Sequence, residues 1–210
     1  MKNKNIEFFH DFYKEDNFIL KFCLRYLLEK LYLIQHKNKS PKFIVINQDY
    51  VSREILIDSY YELKELKVLF KWLKNKIKFN NVIDAGAYLG NHSVYFSNHF
   101  KNVLSFEPNP YSYELLKLNT KSRKNIKIFN AGLSNRSSIK DFYNYEINHG
   151  GSSIIKNKDI PYTKYRAKFH NLDQLNLKKK IDLIKIDVEG HELNVLKGMV
   201  KTLKKSNPII

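Results

Sequence analysis

The chain has 210 residues, of which 43% are hydrophobic, and this is the composition of a globular protein with a sizeable core. Its 37 lysine and arginine residues outnumber its 21 acidic residues, which gives a formal net charge of +16. The single cysteine, Cys23, excludes a disulfide framework and a cysteine-rich zinc site within this sequence. The basic residues are mostly lysine and are spread along the chain, which favours a compositional habit over recognition of nucleic acid.

The first 40 residues carry no signal-peptide pattern, because acidic residues interrupt their short apolar runs. Residues 6–36 are predicted to form a helix, in which Lys21, Arg25 and Glu29 recur at every fourth position and apolar side chains cover most of the remaining surface. Those charges argue against a transmembrane helix, which needs about 20 mainly apolar residues. We therefore expect a cytoplasmic protein with an N-terminal helical extension over residues 1–40. The helix is expected to pack on its own domain, while contact with a membrane surface and formation of a homo-oligomer stay open.

Residues 41–80 are expected to lead into the core of the domain. The segment KFIVINQDYVSREILI, residues 42–57, has the β-branched content of two short strands. Ser59 and Glu62 have the spacing of a capping box, and leucines follow at helical period, so a helix is predicted over about residues 60–77.

Over residues 81–210, short apolar segments alternate with amphipathic ones, which predicts alternating strands and helices. Asn91 and Asn109 are expected to cap the first two helices. Alternation of this kind predicts an α/β fold with a doubly wound, mostly parallel sheet. Strands are predicted over residues 81–85, 103–106, 126–129 and 181–187, and helices over residues 92–99, 109–120 and 189–204.

The fourth predicted strand is expected to pair with the first, and its other neighbour should be a further strand that begins near Ile209. Only the first residues of that strand precede the end at Ile210, so the C-terminal strands of such a sheet are expected to be missing. A strand edge left unpaired in this way invites pairing with another chain. We therefore expect lowered stability and self-association through this edge.

A glycine turn follows the first predicted strand, in the segment VIDAGAYLG that contains Asp84, Gly86 and Gly90. Gly86 allows the backbone to approach a ligand closely, and Gly90 allows a tight entry to the next helix. The spacing G-x-x-x-G differs from the G-x-G-x-x-G that cradles the pyrophosphate of a dinucleotide. The turn therefore argues against NAD and for a smaller cofactor.

A carboxylate ends the second predicted strand, because Glu107 follows the segment VLSF. In a doubly wound sheet this position lies beside the first glycine turn, at the mouth of the ligand crevice. A carboxylate there can accept hydrogen bonds from both hydroxyl groups of a ribose.

Three acids and a histidine follow the last predicted strand: Asp187, Glu189, His191 and Glu192. Placing such groups at the end of a buried strand is costly unless a ligand or metal uses them. Glu189 and Glu192 also suit the N-terminus of the next helix, whereas Asp187 has no such structural use. Because adjacent positions on one turn rarely converge on a single ion, no metal site is predicted.

Together these segments resemble the FkbM-type S-adenosylmethionine (SAM)-dependent methyltransferases. The resemblance covers about residues 81–205, and its most distinctive part is IDLIKIDVEGHELNVLKGM. It implies a Rossmann-like class I methyltransferase fold with SAM as cofactor. By position, the resemblance implies that Asp84, Gly86 and Gly90 surround the methionine part, that Glu107 binds the ribose, that Pro108, Asn109, Leu133 and Ser134 lie near the adenine, and that Asp187 lies beside the transferred methyl group.

The reaction implied is methylation of a hydroxyl group on a sugar, a glycan or a related small molecule. A hydroxyl nucleophile has to lose its proton, and Asp187, Glu189 and His191 are the candidate catalytic bases. The insertion over residues 136–172 is expected to cover the active site.

Two other interpretations stay open. A nucleic-acid methyltransferase would suit the net charge, although base-methylating enzymes usually carry an Asn/Asp-Pro-Pro-aromatic motif where this chain has Asp187-Val-Glu-Gly. An inactive SAM-binding module would suit the short C-terminus. Because the basic residues are dispersed, no sequence-specific nucleic acid is expected as a partner.

Overall fold

The structure is a computed structural model, and it describes residues 17–37, 40–46, 49–145, 154 and 161–210. The chain divides into two compact units, Met1–Pro41 and Lys42–Ile210. The three segments expected from the sequence, with boundaries at residues 40 and 80, stay a prediction. The helices are α1 (Phe18–Lys37), α2 (Tyr50–Asp58), α3 (Leu63–Leu73), α4 (Asn91–Ser97), α5 (Pro110–Thr120), α6 (Glu192–Lys197) and α7 (Val200–Ser206), and the strands are β1 (Asn81–Ala85), β2 (Asn102–Phe106), β3 (Ile126–Phe129), β4 (Gly132–Leu133), β5 (Ser138–Tyr145), β6 (Tyr162–His170) and β7 (Leu183–Ile186).

Helix α1, in the first unit, extends over 20 residues. The predicted start of this helix near residue 6 lies outside the described residues. Its packing on the domain stays a prediction. In the described part of the chain, no helix has both the length and the apolar character that spanning a membrane requires.

A four-stranded parallel sheet forms the centre of the second unit, with the strand order β3-β2-β1-β7. All five residues of β1 are buried, and they contribute to both faces because side chains alternate along a strand. Val82 belongs to an apolar cluster with residues of α3 and α4, whereas Ile83 belongs to one with residues of β7 and α6. Helices therefore cover both faces of the sheet, which confirms the predicted doubly wound α/β fold.

The predicted neighbours of the last strand are also confirmed. β7 pairs in parallel with β1 over its whole length. On its other side, Leu183 forms a parallel bridge with Ile209, and the N–H of Ile209 donates to the carbonyl of Asp182 at 3.1 Å. β7 is thus paired on both sides at this point of the sheet.

A second, smaller sheet has the order β4-β6-β5, with β5 antiparallel and β4 parallel to β6. Phe142, Ala167 and Phe169 form a cluster of buried apolar side chains in this sheet. Strands β5 and β6 come from the insertion over residues 136–172, for which the sequence predicted no strand. Residues 146–153 and 155–160 of that insertion lie outside the described residues.

The prediction of two strands over residues 42–57 is wrong, because α2 covers the second half of that segment. Asp49 begins this helix, and its carboxylate accepts hydrogen bonds from the backbone N–H and the hydroxyl of Ser52, at 2.8 and 2.7 Å. A capped first turn outweighs the strand preference of β-branched residues such as Val51 and Ile55.

The capping box predicted from Ser59 and Glu62 is wrong as well. Ser59 ends α2 in the left-handed conformation, with φ 72°. α3 begins only at Leu63, and the side chain of Glu62 makes no capping bond to it. The Glu62 carboxylate therefore takes no part in capping α3.

The single helix predicted over residues 189–204 is divided into α6 and α7 at Gly198 and Met199. A Cβ atom at Gly198 would lie 2.0 Å from the carbonyl oxygen of Ser134, so this position allows a close approach of two backbones. Met199 is fully buried. The break thus lets the chain pack closely on the loop that follows β4.

Candidate active site

A cleft of about 1120 Å³ lies where β1, β2 and β7 end. Ligands of doubly wound sheets bind at this carboxyl edge. Seven of the predicted site residues line the cleft: Gly86, Glu107, Pro108, Leu133, Asp187, Glu189 and His191. The other four, Asp84, Gly90, Asn109 and Ser134, do not line it.

The glycine turn after β1 is determined by contacts within the protein. Gly86 has φ 80°, and a Cβ atom there would lie 1.8 Å from the carbonyl oxygen of Asp187. The sequence suggested that the approach of a ligand requires a glycine here. The backbone at the end of β7 already requires one, because it leaves no room for a side chain at this position. Gly90 has φ 96° and precedes α4, where a Cβ atom would meet the Leu116 side chain at 2.9 Å.

Asn91 was expected to cap α4, and this prediction is wrong because α4 begins at Asn91, with Gly90 in the capping position. The Asn91 amide instead makes two hydrogen bonds to the backbone of Tyr61. Its Oδ1 accepts from the Tyr61 N–H at 2.9 Å, and its Nδ2 donates to the Tyr61 carbonyl at 3.0 Å. The segment before α3 is thereby attached to the glycine turn.

Glu107, at the end of β2, is a buried carboxylate with 6% of its surface exposed. Its Oε2 accepts a hydrogen bond from the Tyr88 N–H and its Oε1 accepts one from the Asn109 N–H, both at 2.8 Å. Burial raises its pKa to about 7, although the two N–H donors oppose that shift. Since each carboxylate oxygen has two lone pairs, each retains capacity for one further donor from the cleft.

Asn109 begins α5 as predicted, and its Oδ1 accepts from the Tyr111 N–H at 3.0 Å. Its Nδ2 donates to the side chain of Asn144 on β5 at 2.9 Å. The Asn109 side chain therefore serves the fold by joining the two sheets, while its backbone N–H orients Glu107.

A buried network connects β1 with β7. Asp84 is fully buried and accepts a hydrogen bond from the Ser93 hydroxyl at 2.6 Å. The Lys185 ammonium lies 3.4 Å from Asp84 and 3.5 Å from Asp187, and it donates to the Gly86 carbonyl at 2.8 Å. Burial alone would lower the pKa of Lys185, but the two carboxylates raise it, so the lysine is held in its charged form. Asp84 thus acts through Lys185 and does not face the cleft.

Sequence reasoning missed Lys185, although it stands in the apolar strand segment LIKI. A lysine in the interior of such a strand needs an acidic partner, and Asp187 follows two residues later on the same side of the strand. That spacing was the available signal.

Glu189 lies on the turn after β7 with φ 52°, a conformation that a non-glycine residue rarely adopts. Burial raises its pKa, and the nearby carboxylates of Asp187 and Glu192 raise it further. Asp187 is more open, with 63% of its side chain exposed. Two carboxylates therefore face the cleft at the end of β7.

His191 is buried within a polar network. Its Nε2 lies 2.9 Å from the Ser134 hydroxyl and its Nδ1 lies 3.3 Å from the amide nitrogen of Asn194. The Lys140 ammonium lies 3.5 Å from Nε2 as well. Burial, together with the nearby Lys140 ammonium, lowers the pKa of His191. With both ring nitrogens engaged, the arrangement favours a positioning role over the predicted role of base.

One end of the cleft is apolar. Pro108 and Leu133 line it together with Phe142 of β5 and Phe169 of β6. The insertion that was expected to cover the active site thus contributes two aromatic side chains to its wall. Apolar walls with a few placed polar groups are typical of small-molecule sites.

Three further polar residues line the cleft and were not selected from the sequence: Tyr61, Glu62 and His92. The Glu62 carboxylate lies 3.1 Å from Nε2 of His92. Burial raises the pKa of Tyr61 to about 12, and the Glu62 carboxylate adds to that shift. Within the described ranges, no group of three or more histidine, cysteine, aspartate or glutamate side chains is arranged to hold a metal ion.

The methyltransferase FkbM domain model matches residues 84–210 of this chain. The chain belongs to the FkbM methyltransferase family. The matched region begins at Asp84 and includes the ends of β1, β2 and β7, and hence most of the cleft wall.

Two curated relatives are similar to the chain. Hexuronic acid methyltransferase AglP from Haloferax volcanii is 31% identical over 128 residues, which cover 60% of this chain and 53% of AglP. Methyltransferase 1 from Beauveria bassiana is 22% identical over 203 residues, which cover 82% of this chain and 76% of that protein. The chain thus spans about half the length of AglP. Among solved structures, methyltransferase FkbM from Methylobacillus flagellatus KT is 18% identical, with a TM-score of 0.43 over 63% of this chain and 33% of that one.

Proposed function

We propose that this FkbM-family protein transfers the methyl group of SAM to a hydroxyl group of a sugar or a similar small molecule. The observation that carries the SAM assignment is Glu107, a buried carboxylate that lines the cleft at the end of β2. A buried acid with unused acceptor capacity is costly unless donors reach it, and the two hydroxyl groups of a ribose would supply them. The cleft volume exceeds the roughly 300–1,000 Å³ of ordinary small-molecule sites, so a donor and an acceptor fit together.

The cleft offers partners for each part of SAM. Glu107 would hold the ribose, and the apolar wall with Pro108 and Leu133 would contact the adenine. The turn at Gly86 leaves room for the methionine part beside β1. When bound, SAM supplies an electrophilic methyl group on a sulfonium centre.

The protein's own contribution to the reaction is alignment and proton removal. The acceptor hydroxyl has to approach the methyl group in line and close to contact distance. Asp187 and Glu189 are the carboxylates placed to take its proton, and the raised pKa of Glu189 improves its match to neutral pH. Lys185, bound to Asp84 and Asp187, fixes the strand end that carries them.

A sugar acid is the acceptor class that we favour. AglP, the relative with 31% identity, is named as a hexuronic acid methyltransferase. Arg53 also lines the cleft, and a guanidinium is a suitable partner for a sugar carboxylate.

The test is a transfer assay with methyl-labelled SAM and four acceptors: hexuronic-acid glycans, neutral glycans, DNA and RNA. We expect label in the hexuronic-acid glycans and a loss of turnover in Asp187→Asn and Glu189→Gln variants that still bind S-adenosylhomocysteine. Label in nucleic acid alone would support a nucleic-acid methyltransferase instead. Binding of SAM without transfer to any acceptor would favour a binding module.

A further inference from the structure

We propose that Glu62 and His92 bind the amino-acid end of the methyl donor, with Glu62 facing its α-ammonium and His92 facing its α-carboxylate. The inference rests on the proposed use of SAM. It concerns two residues that were not among the site residues predicted from the sequence.

The backbone at Glu62 indicates a use beyond folding. Glu62 has φ 57°, in the left-handed region that disfavours a residue with a side chain. It stands directly before α3, where a side chain could cap the helix, but its carboxylate bonds to His92 instead. An unfavourable backbone that directs an acid into a cleft is a common property of binding sites.

The pair is held at a defined place beside the glycine turn. The two hydrogen bonds from Asn91 attach the Tyr61 backbone to the first residue of α4, and His92 is the next residue of that helix. The Tyr61 and His92 rings also meet edge to face, with 6.4 Å between their centroids. The pair is therefore positioned by the fold before any ligand binds.

The strand order gives the direction in which the donor lies. Glu107 follows β2 and Asp187 follows β7, and β1 lies between these strands. We place the ribose of the donor at Glu107 and its methyl group near Asp187. The donor then crosses the end of β1, and its amino-acid end extends beyond Gly86. Glu62 lies on this side, since it follows Tyr61, whose backbone makes two hydrogen bonds to Asn91 at the end of the glycine turn.

The chemistry of the pair matches an α-amino acid. A zwitterionic ligand needs one anion and one hydrogen-bond donor close together, and Glu62 and His92 supply them 3.1 Å apart. The hydrogen bond from His92 lowers the pKa of Glu62, so the acid is charged at neutral pH. Among the described residues, His92 has no second hydrogen-bond partner, so in its protonated form, with Nε2–H donating to Glu62, its Nδ1–H is available to donate to the α-carboxylate. A surface ion pair alone would explain neither the backbone at Glu62 nor the position in the cleft.

The experiment compares two ligands by calorimetry. S-adenosylhomocysteine carries the amino-acid end, and 5′-methylthioadenosine lacks it. We expect Glu62→Gln and His92→Ala to weaken S-adenosylhomocysteine binding by tenfold or more and methylthioadenosine binding by less than twofold. Glu107→Ala, the matched control at the ribose, should weaken both ligands.

Glu62→Gly adds a variant whose folding is not in question. Glycine relieves the left-handed backbone, so this variant should unfold at a higher temperature than the wild type and still lose S-adenosylhomocysteine affinity. Equal losses for both ligands, or unchanged S-adenosylhomocysteine affinity in the Glu62 and His92 variants, would overturn this inference and leave the proposed function standing. A wild-type protein that binds neither ligand would overturn both.

Discussion

The two sheets of the second unit contribute different things to the cleft. The parallel sheet has short buried strands, and each of β1, β2 and β7 ends in a glycine turn or a carboxylate. In the smaller sheet, β5 and β6 are longer, β4 has only two residues, and most residues of β6 are half-buried or exposed. The side chains that the smaller sheet contributes to the cleft wall are apolar and belong to Leu133, Phe142 and Phe169.

This difference indicates that the parallel sheet supplies the polar groups of the cleft, whereas the smaller sheet supplies part of its apolar wall. Buried strands end at fixed points, so polar groups placed there are held accurately for chemistry. The smaller sheet supplies an apolar wall, where side-chain identity matters less than volume. Changes at the carboxyl edge of the parallel sheet should therefore cost far more than changes on the outside of the smaller one.

The largest effect is expected for Gly86→Ala. A Cβ atom there would collide with the Asp187 carbonyl, and φ 80° already disfavours alanine. We expect a loss of roughly 3–5 kcal/mol in the free energy of unfolding, or no folded protein. Denaturant titration measures it. Gly190→Ala is the matched control, because Gly190 is exposed and has φ 87°. It should lose only about 1 kcal/mol, and equal losses in both variants would contradict the role of the collision.

A smaller loss is expected for Lys185→Met, which leaves Asp84 buried without its cationic partner. The cost of such a change is about 3–5 kcal/mol for a fully buried pair, and we expect about 2–3 kcal/mol here because the Lys185 side chain is partly exposed. Adding Asp84→Asn should recover part of the loss, since the uncompensated charge is removed. If the double variant is no more stable than Lys185→Met alone, the ion pair does not couple β1 to β7.

Glu107 gives a prediction about pH. Its folded pKa of about 7 lies above the unfolded value of about 4.5. The folded state therefore binds more protons between these values, so this acid lowers stability as pH rises from 4.5 to 7. In Glu107→Gln this contribution is absent. The unfolding free energy of the variant, measured relative to the wild type, should thus rise by on the order of 2 kcal/mol between pH 5 and pH 8. A difference that stays constant with pH would contradict burial of an ionisable Glu107.

The smallest effect is expected on the exposed side of the second sheet. Asp141 pairs with Lys164 across β5 and β6 at 2.8 Å, and both side chains are about half exposed. Exposed pairs contribute little, because water screens them and two long side chains lose freedom. Asp141→Ala should leave the unfolding midpoint and the binding of S-adenosylhomocysteine unchanged. A clear loss of either would show that the smaller sheet is as sensitive as the parallel one.

The parallel sheet could be predicted from the sequence because its determinants are local. Buried strands such as residues 81–85 are bounded by turn residues, and Asn109 with Pro110 is a helix start that depends on neighbouring residues only. The ends of these strands also showed which side of the sheet holds the polar groups. Gly86, Glu107 and Asp187 could therefore be placed together before the structure was known.

The rest depends on contacts between distant segments. β4 has two residues and is recognisable as a strand only through its pairing with β6, more than 30 residues later. Asn91 fits the pattern of a cap, yet its amide bonds to Tyr61, which lies 30 residues earlier. Glu62 fits a capping box, and only the structure shows it beside His92. Such pairings carry no sequence period, so the polar wall around Tyr61 could not be predicted.

The most direct test of the account is a calorimetric titration of S-adenosylhomocysteine into the wild-type protein and into Glu107→Ala. The account predicts saturable binding by the wild type and a loss of roughly 1.5–3 kcal/mol in the variant, the scale of charge-assisted hydrogen bonds to the ribose. The variant should stay folded, because Glu107 lines the cleft and is not part of the apolar core. NAD should not bind to either protein. Equal affinity of both folded proteins for S-adenosylhomocysteine would remove Glu107 from the donor site, and binding of NAD without S-adenosylhomocysteine would contradict the methyl-donor assignment itself.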